Sequence, residues 1–169
     1  MDFQVVGLPQ SEVQSLYGRT DDDLARLGVR VVMASSNMGF PCRVSLRDAD
    51  IGARMLLLNY EHQAAATPYR STHAIYVQDG AAQAKVEINV VPDVLSRRLL
   101  SVRAFDASGM MVDADVVEGV DAAAVFVRLL SDPQAAYLHV HNAKRGCYAA
   151  RVERPSGNQR PVVNDERPA

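Results

Sequence analysis

A chain of 169 residues with 48% apolar side chains can bury roughly two-thirds of its unfolded surface as one domain. Eighteen basic and 20 acidic residues leave a net charge of −2, which gives no support to a nucleic-acid or membrane-surface partner. Two cysteines make a weak disulfide framework, no leader precedes Phe3, and no apolar run approaches the ~18 residues of a membrane span; a reduced, cytoplasmic protein is the expectation.

Residues 2–8 (DFQVVGL) read as a first strand. Val13, Leu16 and Tyr17 fall at helical spacing after Pro9, which predicts a short amphipathic helix. Thr20 followed by Asp23 resembles a capping box, with Leu24 and Leu27 as the apolar face and Gly28 as terminator. Residues 29–33 are β-branched and predict a strand, and 42–46 predict another, entered through Pro41. Residues 47–52 carry turn chemistry.

Residues 55–60 (MLLLNY) are the most apolar run and predict a strand central in its sheet. Residues 61–72 read as a long polar connection, a candidate lid or site wall on which Tyr69 and Arg70 could close over a site at the strand end. Strands are expected at 74–78 and 85–90, and a helix at 92–99 with Pro92 at its start. Residues 100–106 and 110–117 form a predicted hairpin around Ala107, Ser108 and Gly109, pairing Arg103 with Asp113, Phe105 with Met111 and Val102 with Ala114. Residues 121–130 predict a helix that buries Ala122, Val125, Phe126 and Leu129 and ends at Asp132-Pro133. Hairpins without a regular βαβ rhythm imply an α+β fold: an antiparallel-rich or mixed sheet with three or four short helices on one face or end. The domain is expected to span 1–153, and the polar, proline-punctuated residues 154–169 a flexible C-terminal tail.

Chemistry concentrates in 136–152 (AYLHVHNAKRGCYAARV), where His139, His141 and Cys147 lie within nine residues. In a strand Tyr137, His139 and His141 share one face. A turn over 142–146 would set His141 opposite Cys147 and His139 opposite Ala149. Three readings compete with a purely structural role. In one, Arg43, His139, His141, Asn142, Lys144 and Arg145 line a pocket for a small anionic ligand, since arginine offers the planar fork that carboxylates and phosphates need. In the second, His139 and His141 ligate zinc or iron, completed by His62, His73, Glu61 or Cys42. In the third, Cys147 is a nucleophile with His141 as its base. A strand pair whose histidines are satisfied by hydrogen bonds, with Cys147 as a small hydrophobe, is the structural alternative. No glycine-rich phosphate loop, GxSxG, HExxH or CxxC pattern is present in the sequence.

The segments PCR at 41–43, LLLNY at 56–60, PYR at 68–70, MMVDA at 110–114 and HVHNAKRGCYAARV at 139–152 together resemble a bacterial domain-of-unknown-function family, number 1203. The resemblance runs to about Arg154 and implies a non-secreted, stand-alone domain. It transfers no catalytic residues. Relatives with a second cysteine near position 45 are implied, and Ser45 stands there in this chain, which argues against a two-cysteine role at Cys42. The anionic-ligand pocket leads at this point, with no cofactor expected. A metal- or cysteine-dependent enzyme and an interaction module without a pocket are the alternatives. Enzyme status and oligomeric state stay open.

Overall fold

A computed structural model describes residues 1–155. In chain order the strands and helices are β1 (Gln4–Val6), α1 (Asp21–Arg26), β2 (Arg30–Met33), β3 (Pro41–Cys42), β4 (Arg47–Asp48), β5 (Arg54–Gln63), β6 (Ser71–Gln78), α2 (Asp93–Ser96), β7 (Leu99–Phe105), β8 (Met111–Glu118), α3 (Ala122–Ser131), β9 (Tyr137–Asn142) and β10 (Tyr148–Glu153). The fold is α+β, as the hairpin-rich pattern implies, but the strands form two sheets rather than one. The first has the order β1-β10-β9-β7-β8 and is antiparallel throughout; the second has the order β2-β5-β6-β3-β4, with a single parallel pair between β3 and β6.

Strand alternation assigns the two faces of the first sheet. Leu100, Val102, Ala104, Leu138, Val140, Ala150 and Val152 turn to the side covered by α3, where they pack with Phe126, Leu129 and Leu130. The amphipathic stripe of α3 matches the expectation at Ala122, Phe126 and Leu129, with Leu130 buried in addition and Val125 only partly so. Phe126 also meets Phe3 edge to face, with ring centroids 5.4 Å apart. A second apolar cluster gathers Leu8, Val13, Cys42, Val44, Met55, Ile75 and Val77, and Tyr148 enters it from the first sheet.

Several local expectations hold with adjusted bounds. Thr20 caps α1: its Oγ1 accepts from the Asp23 amide at 3.2 Å and donates to the Asp23 carboxylate at 2.8 Å. Gly28 follows with φ +74°, the left-handed value that ends a helix. β5 lies inside its sheet between β2 and β6, with Met55 and Leu56 fully buried.

Other expectations are corrected. Residues 10–16 form two 3-10 turns, Gln10–Glu12 and Gln14–Leu16, because three apolar positions over five residues are too few to carry a helix past nucleation. Residues 42–46 are not one strand: Leu46, at φ 51°, closes a tight turn in which its amide donates to the Cys42 carbonyl. Residues 85–90 do not pair as a strand; Asn89 takes φ 64° and uses its side-chain oxygen to accept from the Phe3 amide. The helix at 92–99 shortens to α2.

Two corrections bear on function. The polar residues 61–63 and 71–73 belong to β5 and β6, so the connection is only 64–70. Their polarity reads as loop in sequence, yet it follows strand alternation, with Glu61 exposed and His62 turned inward. In the β7–β8 hairpin, Phe105 pairs with Met111 as expected, but a bulge between Ala104 and Phe105 shifts the rest by one residue. Arg103 pairs with Ala114, Val102 with Asp115 and Ala104 with Asp113. The expected tail lies, from residue 156, outside the described residues. Arg154 itself donates to the carbonyls of Ala135 and Asp132.

Truncating Phe126, which is fully buried against Phe3, leaves a cavity under the first sheet. Phe126→Ala is expected to lower unfolding free energy by about 3–5 kcal/mol in chemical denaturation, with an unchanged denaturant slope.

Candidate functional site

The same alternation that turns Leu138 and Val140 toward α3 turns His139 and His141 toward the second sheet. There they meet His62 of β5 and His73 of β6, so all four histidines of the chain converge. The His62 ring lies between neighbours: it stacks on His73 at 4.8 Å and on Tyr148 at 4.9 Å, with interplanar angles of 19° and 8°. Its centroid is 5.3 Å from that of His139 and 5.0 Å from that of His141, both edge-on. Phe105 and Tyr137 close the far side of His139.

The ring nitrogens form a chain of short contacts. His62 Nε2 lies 2.7 Å from His73 Nδ1 and 3.2 Å from the Ser71 hydroxyl, while His62 Nδ1 lies 3.3 Å from His139 Nδ1. His141 Nδ1 lies 3.0 Å from the Gly146 carbonyl oxygen. A carbonyl only accepts, so that nitrogen carries the proton and His141 Nε2 bears a lone pair. His141 is fully buried, and its Nε2 has no hydrogen-bond partner among the described residues.

The neutral form is favoured at all four imidazoles. Burial is the main cause at each, lowering His62 to about 4, His141 to about 3 and His139 to about 2, with His73 lowered as well. The guanidinium of Arg103 adds to the effect at every ring. Arg103 faces His139 across the β7–β9 ladder, and Ser101 faces His141. A ligating nitrogen from each of His62, His73 and His141 lies within 4.8 Å of the other two. Ligands 2.0–2.1 Å from a tetrahedral ion stand about 3.3 Å apart, so ring movements of about 1 Å would bring this triangle onto one ion.

Cys147 lies elsewhere. The turn covers 143–146 and the Asn142 amide donates to the Cys147 carbonyl, so Cys147 pairs with Asn142 and not with His141. His141 is opposite Tyr148, one residue on from Cys147, and a bulge before Ala150 adds a second shift that puts His139 opposite Arg151 instead of Ala149. Gly146, at φ +72°, supplies the left-handed residue of this four-residue turn. The Cys147 sulfur instead receives N–H groups from Arg43 Nη2 at 3.1 Å and Asn142 Nδ2 at 3.4 Å.

Arg43 is buried, and its Nε and Nη1 donate to the carbonyls of Tyr148, at 2.8 Å, and Pro41. Burial works against its charge and the Cys147 contacts offset this. Its guanidinium therefore joins the β3 turn to the start of β10. Lys144 and Arg145 are exposed at the hairpin tip. The cavity between Arg43, Asn142 and Ala149 holds only about 10 Å³. A larger groove of about 950 Å³ lies away from the hairpin, between residues 45–50, 82–87 and 90–97.

Of the residues singled out in sequence, His139 and His141 thus join His62 and His73, while Arg43, Asn142 and Cys147 form a separate group and Arg145 joins neither. Tyr69 packs edge-on against Phe105, and Arg70 pairs with Glu61. Arg103 and Ser71 were missed. The expected pairing of Arg103 with Asp113 hid its charge; Asp113 instead binds Arg128.

The class of protein is thus a two-sheet α+β fold with a histidine cluster between its sheets. A family model described as "Protein of unknown function (DUF1203)" matches residues 39–154, which include every residue of the cluster, and the chain belongs to that family. No curated protein and no solved structure matches the chain. Among the described residues, no helix is long and apolar enough to cross a membrane.

Two outcomes follow for the metal-free protein. Unfolding below about pH 6.5 lets each imidazole take up a proton that the fold excludes, so the stability present above that pH is lost as the pH falls toward the folded values. Denaturation between pH 7 and 5 is expected to lose ~1.4 kcal/mol per pH unit for each fully excluded proton, and His141→Gln to flatten the slope. In native protein, Cys147, which is half-buried, is expected to react with iodoacetamide at least tenfold faster than Cys42, which is 1% exposed. Peptide mass mapping of the labelled thiols measures both.

Proposed function

We propose that the protein binds one divalent transition metal, zinc in the first instance, through His62, His73 and His141, with His139 orienting His62. The observation that carries this reading is the state of His141. Its Nδ1–H is committed to the Gly146 carbonyl, its bare Nε2 is buried without a partner among the described residues, and its ring centroid lies 5.0 Å from that of His62 and 5.2 Å from that of His73. A metal-ligating histidine characteristically makes this arrangement, in which the outer nitrogen donates to a carbonyl and fixes the tautomer. Neutral imidazoles are also the form that ligates, so little proton release would oppose binding at pH 7.

Three histidine ligands leave a coordination position free. That is the composition of a catalytic zinc site, whereas structural sites fill all four positions with protein groups. His62 and His73 are only half-buried, which supports access from their side. The reading is therefore of a metal-dependent enzyme or ligand-binding metalloprotein. It is preferred to an anion pocket built on Arg43 and Arg145, because Arg43 is buried with each of its three nitrogens already donating to a protein acceptor, and Arg145 stands at the tip.

Protein purified without a metal column or chelator is expected to carry about one zinc, iron or manganese per chain by mass spectrometry. His141→Ala is expected to reduce occupancy at least tenfold, with His73→Ala acting in the same direction. Wild-type protein that stays metal-free after incubation with zinc and iron would remove the proposal.

A further inference from the structure

We infer that Arg103 and the histidine cluster together form the site of an anionic ligand, with one oxyanion group held between the Arg103 guanidinium and the metal. The inference rests on the metal reading and adds to it the chemical class of the exogenous ligand.

Arg103 is half-buried on the inward face of β7, directly across the ladder from His139 and one alternation from Ser101, which faces His141. Among the described residues it has no hydrogen-bond or ion-pair partner. The neighbouring carboxylates are engaged elsewhere: Asp113 and Asp115 bind Arg128, Glu61 binds Arg70, Glu153 binds Arg151, and Glu12 accepts from the Tyr60 hydroxyl. The bulge between Ala104 and Phe105 brings this about, because it moves Asp113 out of register with Arg103.

Charge balance supplies the second argument. Three neutral imidazoles contribute no negative charge, so a divalent ion among them keeps its full +2. Arg103 raises the local charge to +3 in a partly desolvated space between two sheets. Like charges there repel strongly and are stable only with a counter-ion. A carboxylate or phosphate oxygen can take the free metal position while the other oxygens accept from the planar guanidinium fork, which matches that geometry with two parallel bonds.

The test uses full-length protein stripped with chelator and reloaded with Co(II), whose visible spectrum reports its coordination. Oxalate and inorganic phosphate are titrated separately, so that the two arms distinguish a carboxylate from a phosphate ligand. Wild-type protein is expected to show a saturable spectral change with at least one of them. Arg103→Gln is expected to retain one Co(II) per chain and the anion-free spectrum, while anion affinity falls at least tenfold. Arg103→Lys, which keeps the charge and loses the fork, is expected to fall in between. Stoichiometric Co(II) with the same anion affinity in wild type and in either variant overturns this inference and leaves the metal reading standing. So does stoichiometric Co(II) in wild type with no response to either anion. Failure of wild type to bind Co(II) overturns the metal reading, and this one with it.

Discussion

An imidazole has two polar nitrogens, and a buried one must either give both of them partners or leave one exposed to the cost of an unmade hydrogen bond. Four such rings between two sheets impose this demand eight times over. The fold meets it with unusual economy: the Gly146 carbonyl, the Ser71 hydroxyl and the rings themselves serve as partners, and Tyr148 stacks on His62. The account does not close at His141 Nε2. An apolar substitute at any of these positions would fill the space without that cost. Retaining nitrogen lone pairs at the junction of two sheets has a physical rationale if a cation is to be held there, and little rationale in packing.

Charge is distributed around the junction in two different ways. Arg43 is buried and donates to two carbonyls and to the Cys147 sulfur, so it acts as a hydrogen-bonded brace between the β3 turn and the start of β10. Arg103 lies on the inward face of β7 opposite His139 and, among the described residues, meets no acceptor. One guanidinium serves the architecture, and the other is the cation with spare donors. Composition cannot separate them, since both are arginines close to apolar sequence.

Three bulges share the work of aiming these groups. Register shifts fall between Glu61 and Gln63, between Ala104 and Phe105, and between Tyr148 and Ala150. Each lies within two residues of a side chain in or beside the cluster: His62, Arg103 and Tyr148. A bulge inserts one unpaired residue and so turns the strand beyond it to the opposite phase. Without the third, His139 would face Ala150; with it, Arg151 takes that place. Irregular ladders at this one junction, in otherwise regular sheets, fit a site whose geometry matters more than the pairing it interrupts.

Local sequence was sufficient for whatever depends on a few consecutive residues. The capped helix at Thr20, the stripe of α3, the turn glycines and the shared face of His139 and His141 follow from capping chemistry and from periods of 3.6 and 2, and the hairpin-rich order implied α+β. What it could not decide was the phase of a ladder after a bulge, because one inserted residue costs little locally and inverts every side chain beyond it. For that reason Arg103 meets Ala114 and not Asp113, while His141 meets Tyr148 and not Cys147 because the hairpin turn closes on Asn142 and Cys147. Nor could it separate polar strand from polar loop at 61–63 and 71–73, where inward histidines alternate with outward charges. The division into two sheets is a tertiary matter as well: it rests on which apolar faces find each other, and only that packing brings His62 and His73 onto His141.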